Sequence, residues 1–219
     1  MQKLLSLYFS WKGEQPLTVN KLPGAGSNRE YFRLYSSDGS SVIGSVGTSR
    51  DENHAFIYLS RHFAENGIHV PRVLAVSDDQ LVYLQEDLGN VSLFDAIAGG
   101  RNAGGRYNQQ EKLLLIKTIK ALPEIQVTGA RNLKWDNCYP QPEFNEDTVL
   151  FDLNYFKYCF LKPLDIDFHE LKLEANFRLF AKDLVSEPSY TFMYRVFQAL
   201  YIMLDANGKP YFIDFQGGR

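Results

Sequence analysis

The most restrictive stretch of this sequence lies between residues 17 and 46. Residues 17–22, 30–35 and 41–46 are three short runs with the period-two alternation and the aromatic and β-branched content of strands. Pro23-Gly24-Ala25-Gly26-Ser27-Asn28 separates the first two runs, and Ser36-Ser37-Asp38-Gly39 separates the second and third. Both connectors are turn signals, because Gly, Asn and Asp tolerate the backbone conformations that a tight reversal needs. Connections this short join antiparallel neighbours, since a parallel pair requires a crossover of a dozen or more residues. The chain therefore begins as a strand, glycine loop, strand, turn, strand meander.

A helix precedes the meander at residues 2–11 and another follows it at about 51–66, with Ala55, Phe56, Leu59 and Phe63 at helical spacing and Gly67 as its stop. Two further strands are expected at 70–76 and 81–84. Gln85-Glu86-Asp87-Leu88-Gly89 then leads into a short helix at 93–98. Residues 99–109 are glycine-rich and read as a mobile loop. Helices are expected at 111–122, 147–161 and 168–185. Strands then helices make an α+β chain, with a first lobe at 1–86 and a helical second lobe at 87–219.

Composition removes several function classes. The chain has 219 residues, 45% apolar and 14% aromatic, enough for a sizeable core. A net charge of −3 with no basic stripe argues against nucleic acid as a partner. No run approaches the ~20 apolar residues of a membrane span. The apolar start of the chain stops by Ser10, without a small-residue cleavage site, so the expected setting is cytoplasmic. Cys138 and Cys159 are far apart and read as buried free thiols. His54, His62, His69 and His169 are scattered without Cys or Glu at ligand spacing, which disfavours zinc. No G-x-S-x-G motif supports hydrolase chemistry.

Three segments carry candidate chemistry. Gly24, Gly26, Ser27 and Asn28 form a loop between strands whose backbone N–H groups could cradle phosphates, although such a loop is more often only a turn. Glu86, Asp87 and Leu88 leave a strand as a hinge between lobes would, with backbone groups able to pair with a base edge. Asp87 reads equally well as a helix cap. Asp214, in Tyr211-Phe212-Ile213-Asp214-Phe215-Gln216-Gly217, ends an apolar strand where a carboxylate could hold Mg2+ on phosphates.

In this order the segments resemble the aminoglycoside phosphotransferase and choline kinase family, most closely its bacterial amino-sugar kinases. The resemblance runs over nearly the whole chain. It is carried by residues 26–33, 84–89, 151–156 (Phe-Asp-Leu-Asn-Tyr-Phe) and 212–216. It implies a protein-kinase-like, two-lobed fold with ATP between the lobes. Ser27 and Asn28 would lie over the phosphates, Glu86 to Leu88 at the hinge, and Asp214 on Mg2+. The implied activity is ATP-dependent phosphorylation of a small hydroxylated substrate such as an amino sugar or related sugar.

The sequence departs from the family in three places. Relatives carry a catalytic loop H-x-D-x-x-x-x-N, or Tyr for His, whose Asp takes the acceptor proton and whose Asn ligates metal. The matching segment, residues 194–201, has Val196 at the Asp position and Tyr201 at the Asn position. No catalytic residue is intact there, and this copy is expected to transfer weakly or not at all. Taken alone, residues 191–204 read as an amphipathic helix, with Phe192, Val196, Ala199, Leu200, Met203 and Leu204 at helical spacing. Flanking strands favour the family loop instead. The second departure is on the third strand, where Gly44 stands at the position of the phosphate-gripping Lys of protein kinases. Arg29, Arg33 or Arg50 could supply the positive charge instead, although the solvated surface is the expected setting for each, and Glu52 could be the helix acid that pairs with such a cation, although an exposed first-turn acid is the plainer reading. Third, relatives continue past the metal-binding Asp, so an incomplete acceptor pocket and exposed apolar surface on the helical lobe are expected, with a missing C-terminal region or a protein partner to cover it. The alternative function is a pseudokinase or scaffold that binds nucleotide, or keeps only the fold, and works through a partner.

Overall fold

The computed structural model describes residues 1–24, 28–187 and 190–219. Five strands form one antiparallel sheet: β1 (Thr18–Lys21), β2 (Glu30–Tyr35), β3 (Ser41–Val46), β4 (Val73–Val76) and β5 (Val82–Glu86), in the order β1-β2-β3-β5-β4. The meander read from the sequence is its first half.

Alternation assigns the two faces of this sheet. Phe32, Leu34, Val42, Val82 and Leu84 point to one side, where α1 (Gln2–Lys12) lays Leu4 and Tyr8 over them. Leu4, Tyr8, Leu34 and Leu84 are fully buried in this small core. Gly44 belongs to the same face, opposite Phe32 and Leu84 in register. A Cβ on Gly44 would lie 2.5 Å from Leu4 Cδ1 and 2.9 Å from Leu34 Cδ1. The glycine is there so that α1 can sit close. Gly44→Ala should cost about 1–3 kcal/mol by overpacking, because the buried Leu4 has little room to yield. Urea denaturation of the two proteins measures it.

The opposite face meets α2 (Arg50–Glu65), which starts at Ser49, whose hydroxyl accepts from Glu52 N at 3.3 Å. The expected stripe is its buried side: Ala55, Phe56, Leu59 and Phe63 are all at most 3% exposed. Phe56 stacks between Tyr83 of β5 (4.9 Å) and Phe215 (5.1 Å), and Phe63 meets Phe192 and Phe215 edge-on. This aromatic column joins the sheet to the second lobe in one continuous core.

The second lobe contains α3 (Leu93–Ala96), α4 (Ala98–Asn102), α5 (Gln109–Pro123), α6 (Glu146–Phe156) and α7 (Glu170–Leu184), with a hairpin of β6 (Ile202–Leu204) and β7 (Pro210–Phe212). The glycine-rich stretch is not a plain loop, since residues 98–102 are helical. Glu111, only 5% exposed, is the reason. Its carboxylate accepts from Gly100 N and Asn108 N, both at 2.8 Å, fastening the stretch to the start of α5. Cys138 is buried, but Cys159 is exposed, contrary to expectation. α6 and α7 pack on each other while Phe151, Tyr155, Leu171, Leu179 and Phe180 remain exposed. Among the described residues no helix is long and apolar enough to cross a membrane.

Residues 191–204 do not form the helix that their spacing allows. They run as an extended loop, a single tight turn at Ala199–Tyr201, and β6. Tertiary partners win because they satisfy the backbone that a helix would have satisfied internally. Phe192 N donates to Gln126 O (2.8 Å), Met193 N to Arg219 O (2.7 Å) and Leu204 N to Val91 O (2.9 Å). The buried Tyr194 hydroxyl reaches the carbonyls of Tyr201 (3.1 Å) and Ile213, clamping the loop to the hairpin.

Candidate active site: a cleft between the lobes

The α2-facing side of the sheet and the β6–β7 hairpin enclose a cleft of about 250 Å3. Leu22, Ile43, Met203 and Ile213 make an apolar slot, and Phe56 is also part of the wall. Residues 85–89 form one edge, while Tyr201, Asp214 and Gln216 also line the cleft.

The hinge segment is held by its side chains. Asp87 and Arg33 form an ion pair (Nε–Oδ2 2.7 Å), both side chains being close to fully buried. Arg33 Nη2 also donates to Asp87 Oδ1 (3.0 Å) and to Gly89 O (3.0 Å), and the Ser41 hydroxyl donates to Asp87 Oδ2 (2.7 Å). Asp87 is therefore not a helix cap; Ser92 caps α3, accepting from Asp95 N at 3.1 Å. Arg33 is not a surface cation either. Glu86 N donates to Arg72 O (2.9 Å) and its carboxylate pairs with Arg72 (3.2 Å).

Asp214 follows β7 with a left-handed backbone (φ 61°, ψ 29°), a conformation that a non-glycine residue adopts at some cost. Burial raises its carboxyl pKa above the usual carboxylate range; a hydrogen bond from Gln216 Nε2 (2.8 Å) and the charge of Arg29 oppose that rise. Arg195, in the loop with Val196, is also left-handed at φ 64°.

Of the two readings open for Arg29, the structure shows the cation paired with the helix acid and not the solvated surface residue. It enters β2 only 4% exposed, pairs with Glu52 of α2 (2.8 Å) and donates from Nε to Asn53 Oδ1 (3.1 Å). Its guanidinium lies 6.0 Å from the Phe56 ring. Glu52 is accordingly half-buried and paired rather than a free first-turn acid. Arg50 is exposed, as expected. The geometry also corrects the reading of β3. Gly44 faces α1, so a side chain there would point away from the cleft. The cleft-side residues of β3 are Ile43 and the fully buried Ser45, which lies opposite Tyr31. The signal available in the sequence was strand parity: Tyr31 and Arg33 share one face of β2, and Arg29 precedes the strand in the same phase.

Of the residues singled out beforehand, Glu86, Asp87, Leu88, Tyr201 and Asp214 meet around the cleft. Gly24 and Asn28 are exposed and do not line it, and Gly26 and Ser27 lie outside the described residues. Val196 does not line it; it is half-buried and packs against the main core. Among the described residues no three His, Cys, Asp or Glu side chains come together as a metal cage.

No protein-family model and no curated protein sequence matches this chain. Solved structures do. The choline kinase LicA from Streptococcus pneumoniae superposes over 100% of this chain and 69% of its own, with a TM-score of 0.61 at 12% identity. An amicoumacin kinase, in complex with AMP-PNP, Ca2+ and Ami, matches over 93% of this chain and 60% of its own (TM-score 0.46, 16% identity). An aminoglycoside phosphotransferase from Alicyclobacillus acidocaldarius matches over 96% and 66% (TM-score 0.39, 11% identity). The chain thus spans 60–69% of the length of these structures. The first likeness, together with the antiparallel sheet, the helical lobe and the cleft between them, establishes that this chain has the two-lobed, protein-kinase-like fold of the choline kinase.

Proposed function

We infer that this chain binds ATP in the cleft as a small-molecule kinase does, and that as it stands it transfers phosphate weakly or not at all. The observation that carries the reading is the composition of the cleft: an apolar slot bordered by a hinge, with the half-buried carboxylate of Asp214 in its lining beside those of Glu86 and Asp87, which pair with Arg72 and Arg33. The slot suits a purine base. With Glu86 N engaged by Arg72, the backbone of Leu88 serves the base edge. Arg29 does not line the cleft, but its charge reaches Asp214, and held by Glu52 and Asn53 it supplies positive potential for the phosphates.

The donor set fits a divalent ion bound chiefly through phosphate oxygens, since Mg2+ commonly takes one or two carboxylates and leaves its other positions to phosphate and water. Asp214 would hold it. Such an ion supplies charge neutralisation on the transferring phosphoryl group. What the chain lacks is the proton acceptor. Val196 has no lone pair, and Tyr201 occupies the cleft where a second metal donor would serve. The complete reaction, by the resemblance of residues 26–33, 84–89, 151–156 and 212–216, would be phosphorylation of a hydroxyl on an amino sugar or related sugar. Val196 and Tyr201 specifically favour a second reading, a pseudokinase that binds nucleotide and acts through a partner.

Calorimetric titration with ATP, with and without Mg2+, tests the site. Saturable binding strengthened by Mg2+ is the expected result, and no binding at millimolar ATP removes both readings. Arg29→Ala should weaken ATP by about tenfold or more, the worth of a charge-assisted contact, while leaving adenosine unchanged. Equal losses for ATP and adenosine would show that Arg29 only braces the fold.

A further inference from the structure

β5 lies between β3 and β4 in the sheet, so Gln85 has ladder partners on both sides, opposite Ile43 and Val73 in register. Alternation decides where its side chain goes. Val82 and Leu84, 2% and 0% exposed, enter the core under α1, so Tyr83 and Gln85 face the other way. Tyr83 stacks on Phe56, and Gln85 and its partner Ile43 both line the cleft.

An amide stands out in this wall. The slot itself is apolar, and the nearby polar lining groups are committed elsewhere. Glu86 pairs with Arg72 and Asp87 with Arg33, while the Gln216 amide donates to Asp214 at 2.8 Å. Gln85 Oε1 is buried and has no hydrogen-bond partner among the described residues. Such an oxygen is costly until a donor reaches it, and a ligand can supply that donor. Gln85 also sits where a base would be read. The hinge runs outward from it through Glu86, Asp87 and Leu88 to the exposed Gly89, so a base edge laid along the hinge meets Gln85 at its inner end.

We propose that Gln85 makes the cleft selective for a 6-amino purine, its amide oxygen accepting from the exocyclic amino group of the base. This rests on the nucleotide reading of the cleft and adds to it the group that is read and the residue that reads it. A purine without a 6-substituent leaves the oxygen unmet. Placement on an inner strand, fixed on both sides, gives the amide the rigidity that such discrimination needs.

ATP and purine riboside triphosphate differ only in the 6-amino group. Both are titrated calorimetrically against the protein and against Gln85→Met, a side chain of similar length without the amide. ATP should bind the protein more tightly than the analogue. In Gln85→Met that preference should fall by about three- to tenfold, the worth of one neutral hydrogen bond in a double-mutant comparison. ATP binding with an unchanged preference in Gln85→Met overturns the proposal and leaves the nucleotide reading standing, since the side chain would then only fill space. No ATP binding by the protein itself overturns both. If Gln85→Met does not fold, Gln85→Glu decides, because it keeps an acceptor oxygen and loses the amide N–H groups. It must keep the preference for ATP, and a lost preference overturns the proposal.

Discussion

The double substitution Val196→Asp, Tyr201→Asn is expected to raise phosphoryl transfer by about 10²–10⁴-fold, the usual worth of a positioned general base. The loop is anchored independently of position 196. Tyr194 is 2% exposed and clamps the loop to the hairpin through the carbonyls of Tyr201 and Ile213. Ile213 N returns a bond to Tyr201 O at 3.0 Å, so position 201 is tied to the residue before Asp214. Asparagine at 201 would offer a metal an amide oxygen in the same cleft as Asp214, where the neutral tyrosine hydroxyl is a poor ligand. Val196 is half-buried and packs on the core outside the cleft, so an aspartate there gains activity only by turning out of that packing toward the acceptor. The measurement is transfer from γ-labelled ATP to a panel of sugars and amino sugars. Background activity across the panel, in a variant that still binds ATP, would leave the pseudokinase reading in possession of the site.

Asp87→Ala should be among the most damaging single changes in the molecule, costing about 3–5 kcal/mol, because it strands Arg33 as a buried charge without its counter-ion. Four groups converge on this carboxylate: Arg33 Nε and Nη2, the Ser41 hydroxyl, and Gly89 N at 2.9 Å. They join β2, β3 and the hinge, so the loss should reach ATP binding as well as the melting temperature. Thermal melts and ATP titration of the same variant check both. Asn90 Oδ1 and Gly89 O also accept from Arg33 and would retain part of its hydrogen bonding. A loss under about 1 kcal/mol, the ordinary worth of an exposed pair, would show that the pair is effectively solvated.

Local pattern carried much of this fold. The meander of β1 to β3 was legible because alternation and turn residues act over a few positions and agree with one another. The stripe of α2 was legible because Ala55, Phe56, Leu59 and Phe63 repeat at a helical period and have one core to enter. The acidic end of β7 was legible because Asp214 interrupts an apolar strand before a glycine pair. Around residues 191–204 the same reasoning allowed a helix, since periodicity does not see that Gln126, Arg219, Val91 and Tyr201 lie close enough to take the backbone's hydrogen bonds.

The sequence by itself determined the antiparallel meander and the amphipathic stripe of α2, because each is a property of neighbours along the chain. Only the tertiary structure decided what the charged residues do. Arg29 and Arg33 look like solvated surface in the sequence, yet each is at least nine-tenths buried. They are paired across 23 and 54 positions, with Glu52 and Asp87. A long cationic side chain is buried or exposed according to which carboxylate and which aromatic wall the fold brings to it, and pairings across that much chain leave no periodic trace.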